Sequence, residues 1–136
     1  MQQSSFPATL EHLNDMLGFI LGFAQQQGFE EKIVGKVRLA MEEVLVNIIS
    51  YAYPDSTGSI DIGCAPAEGD RTGIIIEVKD RGVPFNMLDK EDPDTTLPME
   101  DRQIGGLGIF FAKQIMDDLR YERSGETNIL RLTKYA

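Results

Sequence analysis

The hydrophobic period of this chain changes once, at the turn sequence Pro54-Asp55-Ser56-Thr57-Gly58. Before it, apolar residues recur at steps of three and four; after it, they alternate or run together in β-branched blocks. Leu10, Leu13, Met16, Leu17, Ile20 and Leu21 make one stripe on a helix predicted over residues 9–27. Gly28 interrupts the pattern. Ile33, Val37, Ala40, Met41, Val44, Leu45 and Ile48 then predict a second helix, running to residue 51 and stopped before Pro54.

Beyond the turn, Ile60, Ile62 and Cys64 alternate with polar residues and residues 73–79 read as a β-branched strand, so these two segments are expected to pair antiparallel. A further helix carries Ile109, Phe110, Ala112, Lys113, Ile115 and Met116. Strands over 119–123 and 128–134 flank the turn Ser124-Gly125-Glu126-Thr127. Helices first and strands later predict an α+β, two-layer sandwich, with helices packed on one face of a mixed, mainly antiparallel β-sheet. The other face is left for solvent or a dimer surface, and the 136 residues are read as one domain, 1–136.

Charge narrows the partners. Thirteen basic against 22 acidic side chains leave a net charge of −9, without the basic cluster that draws a protein to nucleic acid or anionic membrane. The apolar run around Ile74 and Ile76 is far too short to span a bilayer, and the amino terminus lacks a basic segment followed by an apolar one. A soluble cytoplasmic protein is the expectation. One cysteine, Cys64, and one histidine, His12, exclude an internal disulfide and a Cys-His metal or catalytic set. Cys64 reads as a small apolar strand residue and His12 as a helix-surface residue.

Three short patterns carry chemistry. Glu43 and Asn47 lie one turn apart on the second helix, where a carboxylate could accept a proton and a neutral amide oxygen could ligate a hard cation. A solvated helix face bearing Glu42 and Glu43 also fits. Asp80 ends a strand, where it can accept a hydrogen bond from an amino group, and Gly82 lets the chain pass close to a flat ligand; plain turn chemistry fits both as well. Gly105-Gly106-Leu107-Gly108 opens a helix, as an anion cradle or a hinge, and is neither a dinucleotide fingerprint nor a P-loop. Between the second and third patterns, residues 86–102 contain Pro93, Pro98 and six acids against two bases, a long loop of the kind that forms lids; the lid is read over 86–104.

In this order, Glu-x-x-x-Asn on a helix, Asp-x-Gly after a strand, then a long loop and Gly-x-Gly before a helix, the sequence resembles the ATP-binding domain of the gyrase, heat-shock chaperone, histidine kinase and MutL superfamily. Within it, the chain is most similar to the small stand-alone anti-sigma-factor serine kinases of the RsbW and SpoIIAB type. The likeness spans residues 9–134, including Met41-Glu42-Glu43-Val44-Leu45-Val46-Asn47 and Leu130-Arg131-Leu132-Thr133-Lys134. The resemblance implies ATP and Mg2+ as cofactors, Asn47 as the magnesium ligand and Glu43 as general base. It also implies Asp80 on the adenine amino group, Gly82 lining the base pocket, and Gly105, Gly106, Leu107 and Gly108 near the phosphates.

The partners so implied are a sigma factor and an anti-anti-sigma antagonist of the STAS type, phosphorylated on serine, with a homodimer that could use Phe19 and Phe23 as exposed apolar positions. Three positions depart from larger relatives: Pro84 replaces a second glycine, Thr127-Asn128-Ile129 replaces Gly-Thr-Thr, and Tyr51 stands in place of a histidine. A non-catalytic nucleotide-binding module that sequesters a regulatory partner is the alternative, and a complete sensor histidine kinase has no room for its dimerisation helices.

Overall fold

The structure, a computed structural model, describes residues 1–89 and 109–136. Strand β1 (Gln2–Pro7) and a 3₁₀ turn (Leu10–His12) lead into α1 (Leu13–Gln26) and α2 (Glu31–Tyr51). Strands β2 (Ser59–Pro66) and β3 (Gly73–Asp80) follow, then a 3₁₀ turn (Met87–Asp89), helix α3 (Phe110–Ile115) and strands β4 (Asp118–Ser124) and β5 (Thr127–Tyr135). The strands form one sheet in the order β1-β2-β3-β5-β4, antiparallel at every described pairing. The α+β sandwich expected from the change of period is the observed architecture.

Each helix buries one stripe. On α1 it is Met16, Leu17, Ile20, Phe23 and Ala24; on α2 it is Val34, Val37, Ala40, Met41, Val44, Leu45, Asn47 and Ile48. These meet the inward residues of the sheet, among them Ile60, Ile62, Cys64, Ile74, Ile76, Val78, Leu130 and Leu132, in one core. Gly28, at φ +85°, turns the chain between the helices; its N–H reaches the Gln25 carbonyl and that of Phe29 the Ala24 carbonyl. Burial pushes the Cys64 thiol up to about 12, as suits an inert core residue.

Four details differ from the sequence reading. Strand β1 was not expected, because in Gln-Gln-Ser-Ser-Phe-Pro only Phe6 contributes a large apolar side chain, and it packs edge-on against Phe19 at 6.1 Å. Leu10 lies in the 3₁₀ turn and is 65% exposed, so the α1 stripe begins later than predicted. Phe23 is only 4% exposed and Phe19 is half-buried against Phe6, so neither is an exposed apolar position. His12 is half-buried and shares a 2.8 Å hydrogen bond between Nδ1 and Thr9 Oγ1. Of the expected lid, residues 86–89 are described and include the buried Met87; residues 90–104, with Gly105, Gly106, Leu107 and Gly108, lie outside the described residues.

Candidate functional site

Helix α2 is the scaffold. The side chains of Glu43 and Asn47 project from one face, one turn apart, and the Asn47 Nδ2 donates to the Glu43 backbone carbonyl at 2.8 Å. That bond sets the amide with its nitrogen toward the Glu43 carbonyl and its Oδ1 as the buried oxygen end. The Glu43 carboxylate is half-buried and reaches the start of α3, where Oε1 accepts the Ala112 backbone N–H at 3.2 Å. Burial raises its pKa above the ordinary 4.5, and backbone hydrogen bonds from Ala112 and Phe111 oppose that rise.

The second pattern is docked on the end of the same helix. The Val83 N–H donates to the Ala52 carbonyl at 2.9 Å, and a Cβ at Gly82 would collide with that same carbonyl. Glycine is therefore required for this approach, a steric reason stronger than turn preference. Phe85 adds a ring contact to Tyr51, centroids 5.6 Å apart. At 1.5 Å of rise per residue, Asn47 and Glu43 stand about 7.5 and about 13.5 Å up the helix axis from Ala52. One helix thus spaces the Asn47 amide and the Glu43 carboxylate from the Asp80 turn.

Asp80 is 5% exposed. Its Oδ1 accepts the Gly82 N–H at 2.9 Å and the Asn128 Nδ2 at 2.9 Å, whereas no hydrogen bond to Oδ2 is found among the described residues. A carboxylate oxygen with spare acceptor capacity on an otherwise buried residue suits a ligand N–H donor. Asn128 is the residue the sequence reading missed. In sequence it is one polar position at a strand start, and only the β3–β5 register sets it opposite Asp80.

The donor set fits magnesium. The neutral amide oxygen of Asn47 is a hard ligand, and magnesium takes few protein ligands when phosphates and water supply the rest. Among the described residues, no group of three His, Cys, Asp or Glu side chains could hold a metal alone.

The class of protein follows from comparison with known families. The profile of the histidine kinase-like ATPase domain family matches residues 6–134, and the chain belongs to that family. In particular, it is similar to the serine-protein kinase RsbW of Bacillus cereus strain Q1 and of Bacillus mycoides strain KBAB4. It is 30% identical to each over 98% of this chain and 83% of the relative. Among solved structures, the histidine kinase domain of the Erythrobacter litoralis EL346 blue-light activated histidine kinase matches 90% of this chain with a TM-score of 0.51. At 17% identity that likeness speaks for the fold alone, and this chain spans 60% of that domain. Among the described residues, no helix is long and apolar enough to cross a membrane.

Proposed function

We propose that the chain is an ATP-dependent protein serine/threonine kinase that acts as an anti-sigma factor, binding a sigma factor and phosphorylating a serine of a STAS-type antagonist. One observation carries the catalytic part of this reading: a desolvated carboxylate, Glu43, held one turn from the oriented amide of Asn47 on a helix whose far end is clamped to the Asp80 turn. Similarity to serine-protein kinases over nearly the whole chain supports the choice of a serine acceptor, and the resemblance noted in the sequence supports the choice of partners.

In this reading Asp80 Oδ2 accepts the adenine amino group and Gly82 lines the base. Asn47 Oδ1 is the protein ligand for magnesium, which when bound offsets the charge of the phosphates. Glu43 takes the proton from the attacking serine hydroxyl, and the backbone of Gly105, Gly106, Leu107 and Gly108 lies against the phosphates. Phosphoryl transfer asks mainly for positioning and charge compensation, so one base, one metal ligand and a backbone cradle suffice.

The test is transfer of labelled phosphate from ATP to a purified STAS-domain protein, beside a thermal melt with magnesium and ATP. Ligand at about 100 times its dissociation constant stabilises a fold by roughly 2.7 kcal/mol, a readily measured rise. A melt that ATP does not move would remove the nucleotide reading. A second reading, a non-catalytic module that sequesters its partner, is favoured by the engagement of Glu43 at the start of α3, where a carboxylate can serve as a simple helix cap. Nucleotide binding without transfer would select it. Light scattering tests the homodimer that the resemblance implies.

A further inference from the structure

We propose that Tyr121 and Arg123, on the edge strand β4, are positioning residues that lock the side-chain amide of Asn128 and through it the Asp80 carboxylate, so that the Asp80 site accepts a ring amino group and rejects a ring carbonyl. The proposal rests on the nucleotide reading above and deepens it. Its parts form a row across three strands: Asp80 on β3 pairs with Asn128 on β5, which pairs with Arg123 on β4.

The two ends of an asparagine amide are nearly equal in size and opposite in hydrogen-bond sense, so an Asn beside a carboxylate is useful only if something decides which end faces it. Here every partner gives the same answer. At Oδ1, the Tyr121 hydroxyl donates at 2.5 Å, Arg123 Nη1 at 3.2 Å and the Phe85 N–H at 3.5 Å. The guanidinium and the backbone N–H can only donate, so the carbonyl end must lie there. At Nδ2, the acceptors are Asp80 Oδ1 at 2.9 Å and the Val83 carbonyl at 2.8 Å. A flipped amide would set a carbonyl oxygen against the Asp80 carboxylate and an NH2 group against a guanidinium.

Arg123 ties the same assembly to the turn. Its Nη1 also donates to the Gly82 carbonyl at 2.9 Å, and its Nε to the Gly125 carbonyl at 3.1 Å. Oδ1 of Asp80, with the Asn128 and Gly82 donors, is then held in one orientation. The oxygen left to a ligand is an acceptor in a fixed place, and a carbonyl brought to it meets a second acceptor that cannot turn away. A site built around such a bond discriminates far more strongly than an apolar pocket.

The decisive experiment is calorimetric titration with Mg-ADP and Mg-IDP, which differ at the ring amino group, on the wild-type chain, Tyr121→Phe and the double variant Tyr121→Phe/Arg123→Gln, with ligand-free melts alongside. Wild type is expected to prefer ADP by at least about tenfold, and the double variant to lose about tenfold of that preference, because Asn128 Oδ1 then keeps only the Phe85 N–H of its three donors and the amide holds Asp80 less rigidly. Tyr121→Phe removes only a hydroxyl and is expected to fold and show part of the loss. A role confined to stability would lower the melts and weaken both nucleotides in the same proportion, leaving the ADP/IDP ratio unchanged; that result overturns the proposal while ADP binding keeps the nucleotide reading. A wild-type chain that binds neither nucleotide overturns both.

Discussion

The carboxylate of Glu43 accepts the backbone N–H of Ala112 at 3.2 Å across 69 residues of sequence. That one bond sets the proposed base at the joint between α2 and the start of α3, directly after the Gly105 to Gly108 segment. Two opposing influences act on the group: burial shields the carboxylate from water, and the start of α3 offers it backbone donors.

Glu43→Gln separates those influences. The glutamine oxygen can still accept the Ala112 N–H, so the variant is expected to fold and to bind nucleotide, while phosphate transfer falls by about 10²- to 10⁴-fold for want of a base. Single-turnover transfer of labelled phosphate reads the effect. Transfer at the wild-type rate would assign Glu43 to capping.

The raised pKa of Glu43 gives opposite pH dependences for stability and catalysis. The native carboxyl holds its proton more tightly than the unfolded one, so its contribution to stability is complete below pH 4.5 and is lost as pH rises through the native pKa. The base form appears over that same upper range. Transfer should therefore have an acid limb above pH 4.5, missing in Glu43→Gln, and a pH series of rates checks this.

Asp80→Asn removes the charge of the ligand acceptor with little change in volume. A hydrogen bond to a charged group contributes about 1.5–3 kcal/mol, so nucleotide affinity should fall roughly 10- to 150-fold. Asn47→Ala should instead abolish the magnesium dependence of binding. Titrations with and without magnesium distinguish the two variants, and equal loss in both conditions for Asn47→Ala would argue against it as the metal ligand.

Gly82→Ala tests the clamp on α2. The added methyl meets the Ala52 carbonyl, and the backbone has to shift, at a cost of about 1–3 kcal/mol for overpacking. Urea denaturation should show that loss, together with weakened nucleotide binding. Wild-type stability would mean that the turn can leave the helix freely.

Cys64 offers a probe that leaves the site alone. Buried, with its thiol pushed up to about 12, it should resist a thiol reagent at neutral pH in the native chain and react at once in denaturant. Rapid native labelling would place β2 outside the stable core.

Most of this architecture was legible because helices α1 and α2 and four of the five strands carry their own periodic signals. Strand β1 was hidden, since an edge strand with a single large apolar residue gives no alternation to read, and Phe6 acquires its meaning only against Phe19. Glu43, Asn47, Asp80 and Gly82 stood out through spacing, but the collision that demands glycine at 82 depends on a helix end thirty residues earlier. Asn128 was read only as a departure from relatives. Its partners Asp80 and Arg123 are neighbours by strand register, a relation that no local pattern encodes.

The contact between Val83 and Ala52 has a metric consequence. By fastening the turn to the end of α2, it makes the helix a gauge whose unit is the residue: the count from Asn47 to Ala52 sets both a length and an angle. One residue inserted in that interval would rotate Asn47 by about 100° about the axis relative to the turn. Every side chain of the site would survive, yet the instrument would be calibrated for no molecule.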